Sequence, residues 1–140
     1  MKIYIATRIE NAEAARSLAT DLISKGHEIT YPWWEHGAVY ASGAARIKEV
    51  ATFELNGVER ADAVIAILPG GRGTHVEIGA GIAGGKRVIL LGDPSLFEIG
   101  KTICAFYMHP STVQCTNEDE LYVELDQYRQ MDLRNVVEDI

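Results

Sequence analysis

Ala63-Val64-Ile65-Ala66-Ile67-Leu68-Pro69-Gly70-Gly71-Arg72-Gly73-Thr74 is the stretch on which the fold turns. Six apolar residues without a polar break match a strand buried on both faces, the habit of parallel sheets covered by helices. Pro69 and the glycines after it end that strand, and a helix is expected over residues 74–84. A second apolar run at residues 87–91 supplies the next strand, so the stretch reads as a βαβ unit.

The same alternation extends outward. Residues 2–6 form a short apolar strand. Ala12, Ala15, Leu18, Ala19, Leu22 and Ile23 then recur at helical spacing, between a candidate N-cap at Asn11 and a candidate stop at Gly26. A more polar strand is expected at 27–31, ended by Pro32, and an aperiodic loop at 33–43. A second helix over 44–60 carries Ile47, Val50, Ala51 and Val58 on its apolar face. Past residue 91 come a loop (92–101), a mixed segment (102–109), a short strand (112–115) and an acidic last helix (117–131). This order predicts an α/β fold, a three-layer sandwich around a mostly parallel five-stranded sheet, Rossmann-like or flavodoxin-like. Ligands of such sheets sit at the carboxyl ends of the strands, here 6–8, 31–34, 69–73 and 92–93.

Composition narrows the partners. The 140 residues fit one domain over 1–140. Twenty acidic against 13 basic side chains give a net charge of −7, and the pI is near 5.0. That balance argues against nucleic-acid polymers and anionic membranes as partners. A small anion held by one or two local arginines stays open. The longest apolar stretch, 63–69, is far too short to cross a bilayer. Cys104 and Cys115 fit neither a metal motif nor a disulfide framework, and the first residues turn polar too early for a signal peptide. A cytoplasmic protein without metal or cofactor is expected.

Three features carry chemistry. The turn Gly70-Gly71-Arg72-Gly73-Thr74 sits between a buried strand and a helix, where backbone N–H groups and the helix dipole favour an anion or a hydroxyl. It is neither a Walker loop nor a dinucleotide fingerprint. Glu77 follows Thr74 by three residues. Read locally, it is either the glutamate of a capping box or a carboxylate kept ionised by the helix dipole and available as a nucleophile. Glu54 falls inside the apolar stripe of the second helix. It is either a satisfied glutamate near a wet helix end or a group whose pKa burial raises toward that of a general acid. Two carboxylates in different environments are the pairing of retaining glycoside chemistry.

Tyr4 in Lys-Ile-Tyr-Ile-Ala, Glu54 in Glu-Leu-Asn-Gly-Val, the strand entry Ala61-Asp62-Ala63-Val64, and Gly73-Thr74-His75-Val76-Glu77-Ile78-Gly79 with Gly85-Lys86-Arg87-Val88 resemble the nucleoside 2-deoxyribosyltransferase family. That family includes the 2′-deoxynucleoside 5′-monophosphate N-glycosidases, and the resemblance runs over roughly residues 1–116. It implies a nucleoside or nucleotide substrate cleaved at its N-glycosidic bond. Glu77 is implied as the nucleophile forming a glycosyl ester, Glu54 as proton donor to the leaving base, and Tyr4 as the group orienting Glu77. Glu54 stands where the family usually has aspartate. Deoxyribosyltransferases proper carry an acidic residue in the loop before the nucleophile, where this chain has Gly70-Gly71-Arg72-Gly73. Arg72, with Arg8 after the first strand, suits a 5′-phosphate, and Thr7 is a further expected substrate-binding residue. Gly71, Gly73 and Thr74 are the turn's other expected binding residues. Trp33 and Trp34 are each read as a base-stacking residue or as packing. His109 has no metal spacing, and its region is a candidate contributor to a neighbouring subunit's site, since the resemblance implies a homo-oligomer. Gly79, Ala80, Gly81, Ala83 and Gly84 give the third helix a small-residue face for such contact or for its own sheet. The acidic side chains of the last helix (Glu118, Asp119, Glu120, Glu124, Asp126) read as a solvated face. A non-catalytic nucleotide-binding sensor is the competing reading, favoured by the unusual Glu54. A flavodoxin-like or response-regulator module is weaker, because no acidic cluster follows the first strand.

Overall fold

The computed structural model describes residues 1–100 and 102–138. The strands β1 (Lys2–Ala6), β2 (Glu28–Ile29), β3 (Ala63–Ile67), β4 (Arg87–Leu91) and β5 (Thr112–Cys115) alternate with the helices α1 (Ala12–Ser24), α2 (Ala44–Arg60), α3 (Arg72–Ala83) and α4 (Glu118–Glu138). They form one five-stranded sheet in the order β2-β1-β3-β4-β5, and every pairing is parallel. This is the doubly wound order whose crossovers reverse between β1 and β3, leaving a crevice above those two strands.

The expected α/β sandwich is therefore present, with its central strands buried on both faces. Ile3, Tyr4, Ile5, Val64, Ile65, Ala66, Val88, Ile89 and Leu90 are all fully buried. Ala15, Leu18, Ala19 and Leu22 of α1 face this core, and Gly26 leaves the helix at φ +91°, the left-handed conformation that makes glycine the usual stop. Asn11 makes no side-chain cap bond; its amide instead donates to Thr7 Oγ1 and to the Pro69 carbonyl.

Several boundaries differ from expectation. The second strand is only two residues long; at its ends Thr30 donates its hydroxyl to the Gly57 carbonyl (2.7 Å) and His27 is held by the Met1 amine and Arg129. On α2 only Val50, Gly57 and Val58 are buried; Ile47 and Ala51 are exposed. The helix seats over β1 through Gly57, where a Cβ would stand 2.9 Å from the Tyr4 ring and from Tyr31 Cβ. That close approach carries Glu54, one turn earlier, to the side of Tyr4. The loop at 33–43 opens with a 3₁₀ turn (Trp33–Glu35) that buries both tryptophans. The last helix runs on to Glu138, past the expected 131, and its Asp132 pairs with Arg87 at 2.8 Å. Residue 101 of the expected 92–101 loop lies outside the described residues. No helix among the described residues is long and apolar enough to cross a membrane.

Candidate active site

A cavity of about 510 Å³ opens above the carboxyl ends of β1 and β3, within the roughly 300–1,000 Å³ usual for small-molecule sites. Its floor and sides carry Tyr4, Thr7, Arg8, Trp33, Glu54 and the turn from Gly70 through Thr74, with Glu77 behind it. Every sequence-predicted site residue except Trp34 and His109 thus lies on one wall or another. His109 is exposed at the end of a separate 3₁₀ turn, bonded to Ser111, and does not line this cavity.

The glycine turn differs locally from the sequence reading. The helix begins at Arg72, with Gly71 as its extended N-cap (φ −104°, ψ −167°). Thr74 is the third helical residue, and its hydroxyl accepts the Gly71 N–H at 3.0 Å. Glu77 lies in the second turn and cannot reach back as a cap, so the Thr74–Glu77 capping box is not formed. Its carboxylate instead accepts a hydrogen bond from the buried Tyr4 hydroxyl. The first-turn N–H groups of Arg72, Gly73 and Thr74 have no intrahelical acceptor and remain as donors at the cavity's edge.

Burial dominates the site's electrostatics. Glu77 is only 7% exposed, and desolvation pushes its pKa up to about 8; the Tyr4 bond pulls it down and the charge of Glu54 pushes it up again. Desolvation in the second turn works against the ionised form of Glu77 that the sequence reading offered. Glu54 is half-buried, and desolvation raises its pKa as well, partly offset by His36. Burial and the Glu77 charge hold the Tyr4 phenol far above its ordinary value, so it is a permanent proton donor to Glu77. The charge of Glu54 thus adds to the cost of ionising Glu77.

Thr7 uses its hydroxyl to tie the two strand ends together, donating to the Ile67 carbonyl (2.7 Å) while accepting from Asn11 (3.0 Å). What it offers a ligand is one remaining lone pair. Arg8 and Arg72 are exposed at the rim. Trp33 is buried, with its indole N–H on the Ile5 carbonyl at 2.8 Å, and one edge of it lines the cavity. Trp34 packs edge-on against Trp33 in the core and does not line the cavity. Sequence reasoning missed His36 and Tyr40, which come from the loop at 33–43 and line the cavity. His36 shares a hydrogen bond between Nδ1 and the Gly37 carbonyl (2.8 Å), and its buried Nε2 has no partner among the described residues. An aromatic and histidine-bearing loop after the second strand was the available signal. Among the described residues no three His, Cys, Asp or Glu side chains gather as a metal ligand set.

The sequence pattern of the family described as Nucleoside 2-deoxyribosyltransferase matches residues 3–124, and the chain belongs to that family. Among solved structures, the CMP N-glycosidase BcmB of Clostridium botulinum is similar, with a TM-score of 0.58 at 21% identity over 90% of this chain and 99% of that one. The 2-deoxyribosyltransferase of the psychrotolerant bacterium Bacillus psychrosaccharolyticus is similar at a TM-score of 0.63 and 20% identity, over 86% of this chain and 90% of that one. At these identities the two structures establish the shared fold. No curated protein sequence matches.

Proposed function

We propose that the protein cleaves the N-glycosidic bond of a (2-deoxy)nucleoside 5′-monophosphate by double displacement. The observation that carries this reading is a pair of carboxylates on one cavity, the deeper one hydrogen-bonded by a buried tyrosine and the other half-buried beside it. Glu77 attacks the anomeric carbon as the carbon–nitrogen bond breaks, forming a glycosyl ester. Glu54 gives its proton to the departing base nitrogen. Water, deprotonated by Glu54, or a second base then attacks the same carbon and releases Glu77. Tyr4 holds the attacking oxygen in place through both displacements. Positive charge growing on the sugar in the transition state draws the negative charge of the pair onto Glu77 and leaves the proton on Glu54, the distribution the chemistry requires.

Phosphate binding at the glycine turn is the finer part of the proposal. Three helix N–H donors and two arginines, Arg8 and Arg72, surround that edge of the cavity, and the turn carries no acidic side chain. The relative named as a CMP N-glycosidase acts on a nucleoside monophosphate by its title. Exposed Leu55 on α2 and Val76 on α3 support a homo-oligomer, and a single cytoplasmic domain fits the rest.

The test is chromatographic. Ribo- and deoxyribonucleosides and their 5′-monophosphates are incubated with the protein, with and without a second free base. Release from monophosphates without exchange is the expected result. Exchange among free nucleosides would overturn the phosphate assignment and make the protein a transferase. Silence throughout, with a raised melting temperature, would overturn catalysis in favour of the sensor.

A further inference from the structure

His75 and Tyr107 lie 32 residues apart in sequence, outside the cavity wall, and the mechanism above uses neither. Their rings stack at 5.7 Å between centroids, 23° from parallel. Between His75 Nε2 and the Tyr107 hydroxyl the distance is 2.7 Å, and between His75 Nδ1 and the Gly71 carbonyl oxygen it is again 2.7 Å. Tyr107 is itself fixed: it is buried, Phe97 packs edge-on against its ring, and its carbonyl accepts from Thr112 Oγ1 and Gln114 Nε2 of β5, both at 3.0 Å.

The protons on this chain follow from its end. A carbonyl oxygen only accepts, so Nδ1 of His75 carries the hydrogen and donates it to Gly71. In the neutral ring Nε2 is then a lone pair, and the Tyr107 hydroxyl donates to it. Tyr107 thereby holds the imidazole in the one tautomer that can bind the carbonyl. Without that hydroxyl the ring is free to place its hydrogen on Nε2 and turn a lone pair toward Gly71.

The carbonyl being held belongs to a peptide that matters. In a trans peptide the Gly71 C=O and the Arg72 N–H lie in one plane and point in opposite directions. Drawing the carbonyl back along α3 aims the Arg72 N–H outward, ahead of the helix. Gly71 has no side chain to resist rotation, its own N–H is spent on Thr74, and its carbonyl accepts the His75 backbone N–H only at 3.3 Å, longer than the 2.7 Å to the imidazole. We infer that the Tyr107–His75–Gly71 chain positions the backbone donors of the glycine turn, and so sets the protein's affinity for the phosphate end of its substrate. This rests on the proposed reading of that turn as the phosphate site.

The test uses 2-deoxyribose 5-phosphate as a probe, which has no glycosidic bond, and titration calorimetry on the full chain. Loss of one hydrogen bond on this scale should weaken binding by Tyr107→Phe about five- to tenfold. The ring and its packing remain, so the melting temperature should stay that of the wild type. In His75→Asn the amide Nδ2 stands where Nδ1 stood and needs no partner to fix its hydrogen, so binding should stay within about twofold of wild type, as expected for a retained bond. Wild-type affinity in Tyr107→Phe would overturn the inference alone. So would equal losses in both variants with lowered melting, the mark of a merely structural role. Failure of the wild type to bind the probe would overturn the phosphate reading together with the inference.

Discussion

Glu77→Gln is expected to melt about 5–10 °C above the wild type at pH 8, to match it at pH 4.5, and to release no base. The sign follows from the raised pKa. Glu77 titrates near 8 in the fold against 4.5 unfolded, so between those values the native state holds a proton that the unfolded chain has lost. Stability contributed by this group is complete below pH 4.5 and is lost as the pH climbs through 8, at up to about 1.4 kcal/mol per pH unit. Glutamine has no proton to lose, and its amide oxygen still accepts from Tyr4. The gain at pH 8 is therefore on the order of 2–4 kcal/mol. Turnover should fall at least ~10⁴-fold, since the amide cannot form the ester. Thermal melts across pH 4.5–8 check the first half, and base release checks the second. Melts that fall in parallel with pH in both proteins would mean that Glu77 does not carry this proton.

Glu54→Gln is the second large effect. Removing the proton donor should cost roughly 10²–10⁴ in kcat for ordinary bases, whose leaving nitrogen needs protonation, and much less for a base analogue that leaves readily as an anion. The pH dependence changes in a defined way. In the wild type, kcat/KM is expected to rise as the carboxylate pair loses its first proton and fall as it loses the second. Glu54 raises the Glu77 pKa through its charge, which is absent while the first proton leaves, so glutamine at 54 keeps the rising limb at the wild-type position or slightly higher in pH and abolishes the falling one. A pH–rate profile for the variant measures both. An unchanged bell would assign the proton to another group.

Much of this was legible in the sequence, for reasons particular residues make plain. Strands such as Ala63–Ile67 and Arg87–Leu91 are uninterrupted apolar runs, and burial on both faces leaves them no other environment. Tyr4, Glu54 and Glu77 resemble family residues, and the fold brings all three to one cavity. Local spacing misled at Thr74 and Glu77, because a Thr-x-x-Glu pattern does not say which residue is the N-cap; Gly71 takes that place and moves Glu77 a turn deeper. Depth then raises the Glu77 pKa, an effect of tertiary packing that no local pattern carries. His36 and the His75–Tyr107 pair were invisible for the same reason: their partners are set by where a loop folds and where the segment before β5 lies. His109 is exposed and away from the cavity of its own chain.

Intact-mass measurement of a trapped intermediate tests the central claim most directly. A 2′-fluoro-arabinosyl nucleoside 5′-monophosphate carries an electron-withdrawing substituent that slows breakdown of a glycosyl ester more than it prevents formation. With it, the protein is expected to gain the mass of one fluorinated pentosyl phosphate as free base is released, and peptide mapping should place that mass on Glu77. Base release with no mass gain, or a mass gain that survives Glu77→Gln, would contradict a Glu77-centred double displacement.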